Sequence, residues 1–482
     1  MRRLLLVPLL VSALTASAAV PSPTIDGPVS GGNGAPFVAA TTFDPAVVGY
    51  VQEEFFISGT ATSFGSATPL GSDGQWTAVP GATAPYKTRI VVYRPIKKSR
   101  FNGTVLVEWL NVSGGLDAAA GWIGFHTELM REGWAYVAVS AQYVGVEGGN
   151  PLLPGLPVSP LKTVDPARYG SLSHPGDSFS YDIFSQAGQA VRTPNGPSPL
   201  ADFKVKRVLA AGESQSAFRM VTYANAIQPI AGVYDGILIH SRGGGAANLA
   251  EAPQTPVAAP SAVTIRTDTQ VPVLTFQTET DLLFLGSVPS RQPDTDMIRL
   301  WEVAGTAHAD TYTVAVGMAD TGTVAGAELL VTSSPLPFIS CPLPINSGPH
   351  HFVLKAAVHA LERWVRSGRP PAGMPLLEVV PGLPVSLARD ANGNALGGIR
   401  TPQVDVPLAG FSGVGQTGSI ICALFGTTAP FDAAKLQSLY PTSKDYVRAF
   451  TKATKAATRA GVIRPKDAKL MKAAAKNVDL GG

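Results

Sequence analysis

The sequence predicts an α/β fold with a mostly parallel central sheet and helices on both faces, and three observations predict it. Strand-patterned and helix-patterned segments alternate between residues 88 and 366, the order that winds a parallel sheet through helical crossovers. Several strand-like runs are apolar almost throughout, as strands buried on both faces are. The 482 residues include 50 Gly and 41 Pro with only 15% charged side chains, too apolar for a disordered chain and well supplied with loop formers. A net charge of +3 points to no particular partner, and no nucleic acid is expected.

Met1-Arg2-Arg3, an apolar run from Leu4 to Leu14 and Ala16-Ser17-Ala18 read as an export signal over residues 1–18. The run is too short to span a bilayer and no later stretch supplies one, so no stable membrane insertion is expected. The motif around the paired arginines is incomplete for twin-arginine export, which favours the general secretory route to a secreted or periplasmic location. Residues 19–40 are rich in Pro, Gly and Ser and read as an extended N-terminal arm. Residues 41–482 are read as one domain.

Val48 to Ser63 and Thr88 to Ile96 are strand-like, as is Gly103 to Leu110; Ala118 to Arg131 is helix-patterned and Trp134 to Ser140 is another buried strand. Residues 141–200 then break the rhythm with a Pro/Gly-rich stretch, read as a lid-like insertion. Val205 to Ala211 (strand), Gln215 to Ile227 (helix), Val233 to His240, Val271 to Gln277 and Ile298 to Val303 (strands) restore it. Residues 310–349 form a second lid-like insertion. Phe352 to Arg366 carries Val353, Ala356, Ala357, Ala360, Leu361, Trp364 and Val365 at helical spacing. From Pro430 onward eleven Lys/Arg face four acidic residues, a basic helical tail over 430–482 that reads as a solvated face or as one that touches a membrane surface or a polyanion.

Chemistry concentrates at Val208-Leu209-Ala210-Ala211-Gly212-Glu213-Ser214-Gln215-Ser216, where a strand runs into a helix through a G-x-S-x-S turn. Small residues two before and two after the serine let strand and helix backbones pass closely, the setting of a nucleophile elbow. Gly176-Asp177-Ser178-Phe179-Ser180 fits the same pattern, but no strand leads into it. Ser214 is therefore the candidate nucleophile, within an α/β-hydrolase fold.

A serine hydroxyl needs a general base, and the base needs an orienting carboxylate. In this fold they follow in the order serine, acid, histidine. The strand from Val271 ends in Glu279-Thr280-Asp281, which makes Asp281 the candidate acid and Glu279 the alternative. The strand Ile298 to Val303 leads to Ala307-His308-Ala309-Asp310, which puts His308 in the histidine's slot. Oxyanion donors are expected from the backbone N–H of Gln215 and, in the loop after Leu110, of Val112. Cys341 and Cys422 are a candidate disulfide in an oxidising compartment, or else two buried thiols. No metal site and no cofactor are expected.

Gly49-Tyr50-Val51-Gln52-Glu53-Glu54-Phe55, Glu108-Trp109-Leu110-Asn111-Val112-Ser113-Gly114, Arg168-Tyr169-Gly170-Ser171-Leu172 with His174-Pro175-Gly176-Asp177, the Ser214 elbow, Ala307 to Asp310, and Leu439-Tyr440-Pro441 with Tyr446-Val447 resemble the large secreted bacterial α/β-hydrolase domain family. The resemblance spans nearly all of the chain after residue 18. It implies a serine esterase working on a small-molecule ester, and no particular substrate. An amidase, peptidase or lactonase uses the same parts, and a non-catalytic secreted binding protein of the same fold is the reading outside enzymes.

Overall fold

The computed structural model describes residues 20–153, 157–323, 327 and 340–480. The expected export signal lies outside the described residues, as do residues 324–326 and 328–339 of the second insertion. Nine strands form one sheet: β1 (Thr24–Asp26), β2 (Tyr50–Ser66), β3 (Ala78–Pro95), β4 (Thr104–Trp109), β5 (Ala135–Val139), β6 (Arg207–Glu213), β7 (Gly236–His240), β8 (Val273–Thr278) and β9 (Ile298–Val303). Their order is β1-β2-β3-β5-β4-β6-β7-β8-β9. The six strands from β5 to β9 in that order are parallel to one another. The other three form an antiparallel flank, with β3 paired to β5.

Alternation along each buried strand divides the core in two. Leu106, Leu209, Leu238 and Phe276 point to one face, where Trp122 and Phe125 of α1 (Ala120–Glu132) pack with Val353, Ala357 and Leu361 of a long later helix. Val105, Val107, Trp109, Ala210 and Ile239 point to the other, under two helices: α2 (Ser180–Arg192), which contributes Phe184 and Ala187, and α3 (Gln215–Thr222), which contributes Met220. The long helix is α4 (His350–Ser367), ended by Gly368 at φ 68°, the left-handed stop that glycine adopts without strain. The basic tail folds back on the α1 face through α5 (Ser443–Arg459) and α6 (Pro465–Ala474), burying Tyr446, Phe450 and Met471.

The structure adds to three readings of the sequence. Within the 19–40 arm Ile25 is buried, and its segment pairs with Ile57 as the edge strand β1. The strand read from Thr88 begins ten residues earlier, in a hairpin with β2 that pairs Ser66 with Ala78 and Tyr50 with Pro95. Residues 141–200 are not wholly a lid: α2 is core, with the Phe184 ring centroid 5.0 Å from that of Trp109.

A buried ion network ties the flank to the loops beyond β4. Arg89 on β3 reaches Glu54 on β2 at 3.0 Å and Asp117 at 2.8 Å, and Arg168 reaches the other Glu54 oxygen at 2.5 Å. Breaking such a pair strands a charge in low dielectric and costs about 3–5 kcal/mol, so the network fixes the loop that ends at Asp117.

Candidate active site

The parallel strands all present their carboxyl ends on one side, and the candidate residues meet there. Ser214 follows β6 directly, at φ 56° and ψ −119°. That conformation is strained for any residue with a Cβ, at roughly 1–3 kcal/mol, and it lifts the hydroxyl off the line of the strand. A Cβ on Gly212 would stand 2.7 Å from the Ser216 carbonyl oxygen, so only glycine fits there. Ser216 does more than stay small: its hydroxyl donates to the Leu110 carbonyl at 3.1 Å. The elbow is thereby tied to the loop expected to carry the second oxyanion donor.

His308 stands between Ser214 and Asp281. Its Nε2 lies 2.8 Å from Ser214 Oγ and its Nδ1 2.6 Å from Asp281 Oδ1. With the ring proton on Nδ1, His308 donates to Asp281 and accepts from the serine hydroxyl. Asp281 is fully buried, and its second oxygen accepts the Thr278 N–H at 2.7 Å within a capping box that closes the short helix Glu279–Leu283. One carboxylate oxygen thus fixes the acid to the end of β8 while the other fixes the imidazole.

Glu279, the alternative acid, does not reach His308. It accepts from Gly305 N at 2.6 Å and Gly413 N at 3.0 Å, and pairs with Arg389 at 2.9 Å. Being the first residue of the short helix, it points toward the backbone of the histidine loop rather than its ring. Thr280 between them adds a clamp, its hydroxyl accepting from His308 N at 3.1 Å and donating to Gly413 O at 2.5 Å. Ser178 lies elsewhere, buried and bonded to the backbone of Glu251.

Sequence reasoning passed over Glu213. Its Oε1 lies 3.4 Å from His308 Nε2, and its Oε2 accepts from Asn111 Nδ2 at 3.0 Å. Burial, with the repulsion of Asp281, outweighs the pull of His308 and the Asn111 hydrogen bond and pushes the Glu213 carboxyl up to about 7. Burial works against charge on His308 too, but Asp281 first and Glu213 after it prevail and hold the imidazole above its ordinary value. The signal was available, since a side chain one residue before an elbow serine ends the same strand.

The expected oxyanion donors flank the elbow. The Gln215 N–H opens α3 and the Val112 N–H sits in the loop after β4; neither finds an acceptor among the described residues. Asn111 pins that loop to the elbow, donating to the Glu213 carbonyl at 3.2 Å as well as to its side chain. Among the described residues no group of His, Cys, Asp or Glu is arranged to hold a metal ion. Cys341 and Cys422 form a disulfide, and the loop of Cys422 touches the histidine loop where Ala309 N donates to Leu424 O at 3.1 Å.

Comparison with known proteins adds a family. The model described as "alpha/beta hydrolase domain" matches residues 25–473. No curated protein matches the sequence. Among solved structures, a glucuronoyl esterase from Solibacter usitatus is 10% identical over 60% of this chain and 83% of its own, with a TM-score of 0.29. A lidless α/β serine hydrolase from Xanthomonas campestris is 12% identical over 51% of this chain and 83% of its own, at 0.25. An acetyl xylan esterase from Thermoanaerobacterium is 12% identical over 46% of this chain and 53% of its own, at 0.22.

Proposed function

The chain belongs to the alpha/beta hydrolase domain family, and from that premise we propose that it is a serine hydrolase that cleaves carboxylic esters through an acyl-enzyme. The observation that carries the reading is one imidazole bonded at Nε2 to a serine held at positive φ and at Nδ1 to a buried carboxylate. Ser214 Oγ attacks the ester carbonyl as His308 Nε2 takes its proton; the oxyanion is met by the N–H groups of Gln215 and Val112, each donor of this kind being worth about 2.7–4 kcal/mol. The tetrahedral intermediate collapses as His308 returns the proton to the departing alkoxide, releasing an alcohol. Water, deprotonated by the same nitrogen, attacks the acyl-serine, and the carboxylic acid leaves with Ser214 reprotonated. Asp281 stays ionised throughout and steadies the imidazolium.

The same reading places the protein outside the cytoplasm. The Cys341–Cys422 disulfide supports it, since such bonds persist in oxidising compartments, and no helix among the described residues is long and apolar enough to cross a membrane.

Ser214→Ala is the test. With p-nitrophenyl esters of two to twelve acyl carbons, kcat should fall by about 10⁴-fold or more with folding unchanged, as it does when a hydrolytic nucleophile is removed. A fluorophosphonate should label wild type at Ser214 alone. Retained activity in the variant, or label on Ser178, would overturn the assignment.

A further inference from the structure

The basic tail finds no use in the ester reaction, yet it helps build a second cleft at the far end of the molecule. α4 begins at His350, whose ring stacks on Phe276 near the carboxyl end of β8, and ends beside the amino end of β7, where a Cβ on Gly236 would meet Val365. Beyond that end lies a cleft of about 620 Å³, between the last turns of α4, the segment after it and the turn that joins α5 to α6. Trp301 and Met374 form part of its apolar floor. Arg363, Arg369, Arg459 and Arg464 line it together with His359, and no Asp or Glu does.

Two nearby carboxylates engage one arginine of the lining, and a third pairs outside it. Glu128 and Glu132 pair with Arg464, and Glu362 with Arg207 and Arg366. Arg363, Arg369 and Arg459 make no ion pair among the described residues. Burial first, and then the guanidiniums of Arg464, Arg363 and Arg366, push His359 down to about 4, although Glu128 lies 3.8 Å from its Nδ1. Cations at helix carboxyl ends offset the helix dipole, as Arg459 does in the last turn of α5, whereas the last turn of α4 carries Arg366 and not Arg363. Arg369 lies beyond α4 on a different segment, and dipole compensation does not explain why Arg363, Arg369 and Arg459, exposed residues on separate elements, line one cavity of ligand size. Guanidinium groups bind planar and tetrahedral oxyanions in bidentate fashion.

We propose that this cleft binds a soluble ligand carrying two or three oxyanion groups, held by Arg363, Arg369 and Arg459 at a site remote from Ser214. Phosphate esters and acidic oligosaccharides share that chemistry, so tripolyphosphate and trigalacturonate serve as separate probes in calorimetric titrations of the full-length enzyme. At least one should bind with 1:1 stoichiometry and a Kd below about 1 mM at low ionic strength, and which one binds assigns the source. The triple variant Arg363→Gln, Arg369→Gln, Arg459→Gln should weaken binding by about tenfold or more while short-chain ester hydrolysis stays at the wild-type rate. A matched triple on the outer face of α5, Lys444→Gln, Lys452→Gln, Lys455→Gln, should keep wild-type affinity. Saturation by neither probe overturns the proposal, and so does equal weakening in the two triples, which would mean diffuse attraction to a basic surface. Both outcomes are independent of Ser214, so they leave the ester reading to its own test.

Discussion

The elbow at Ser214 and the loops that carry Asp281 and His308 do the same job, fixing one side chain of the proposed triad each, by opposite means. At the elbow nearly everything needed is local: β6, Gly212 with no room for a Cβ, Ser216 and the first turn of α3 lie within 16 residues. The acid and histidine loops are held from a distance. Glu279 and Thr280 bind Gly413, Arg389 binds Glu279, and Leu424 receives the N–H of Ala309. Those partners come from more than 80 residues along the chain. The proposed nucleophile is thus encoded by a short motif, whereas the proposed base and acid depend on a framework that the C-terminal third supplies.

The strongest way to break the comparison is to disable the acid itself. Asp281→Asn keeps the shape but cannot hold the Nδ1–H tautomer, and kcat/KM should fall by about 10³–10⁴-fold. Its residual activity should also show a lower acid limb. His308 must be neutral to act as base, and Asp281 is the first of the two carboxylates that hold its pKa above the ordinary value. A loss under tenfold in the pH profile of kcat/KM would mean another carboxylate orients the histidine.

Arg389→Gln probes the distant framework without touching the reacting groups. Glu279 is fully buried and Arg389 is its only ion-pair partner among the described residues, so the variant leaves a buried carboxylate with backbone donors alone. Because the Arg389 side chain is 27% exposed, water softens the loss to about 1–3 kcal/mol of stability. A displaced histidine loop should lower kcat by about 10- to 100-fold with KM little changed, measured alongside the thermal midpoint. Wild-type kcat in a destabilised protein would show that the loop holds its geometry without this tie.

This division also accounts for what was legible in the sequence. Fold class, the succession of strands and helices and the choice of Ser214 as candidate rest on local patterns, and Asp281 and His308 are candidates by chain order. The choice between Asp281 and Glu279 could not be made from spacing, because it depends on Gly305, Gly413 and Arg389 claiming one of the two carboxylates. α2 was hidden for another reason. Tyr181, Phe184, Ala187 and Val191 have helical spacing, but the Pro/Gly-rich flanks on both sides masked it. β1 has three residues, too few to show any period.

Glu213 sharpens the comparison, because it belongs to the elbow by sequence and to the histidine by contact. Buried with its carboxyl raised to about 7 from an ordinary 4.5, it stays protonated in the folded protein over a range where the unfolded chain has already ionised. Its contribution to stability is therefore complete below about pH 4.5 and is lost as pH rises to about 7, by up to about 3 kcal/mol. Glu213→Gln removes that dependence, so urea unfolding at pH 4.5 and pH 8 should show a smaller fall in stability than wild type. The same variant withdraws the lesser of the two carboxylates facing His308, and the acid limb of kcat/KM should move to lower pH by less than in Asp281→Asn, with kcat at pH 8 within about tenfold of wild type. If the limb stays in place while the stability profile flattens, Glu213 serves the elbow by holding Asn111 and leaves the base untouched. If both move, the residue before the nucleophile tunes the histidine across the gap between the two regions.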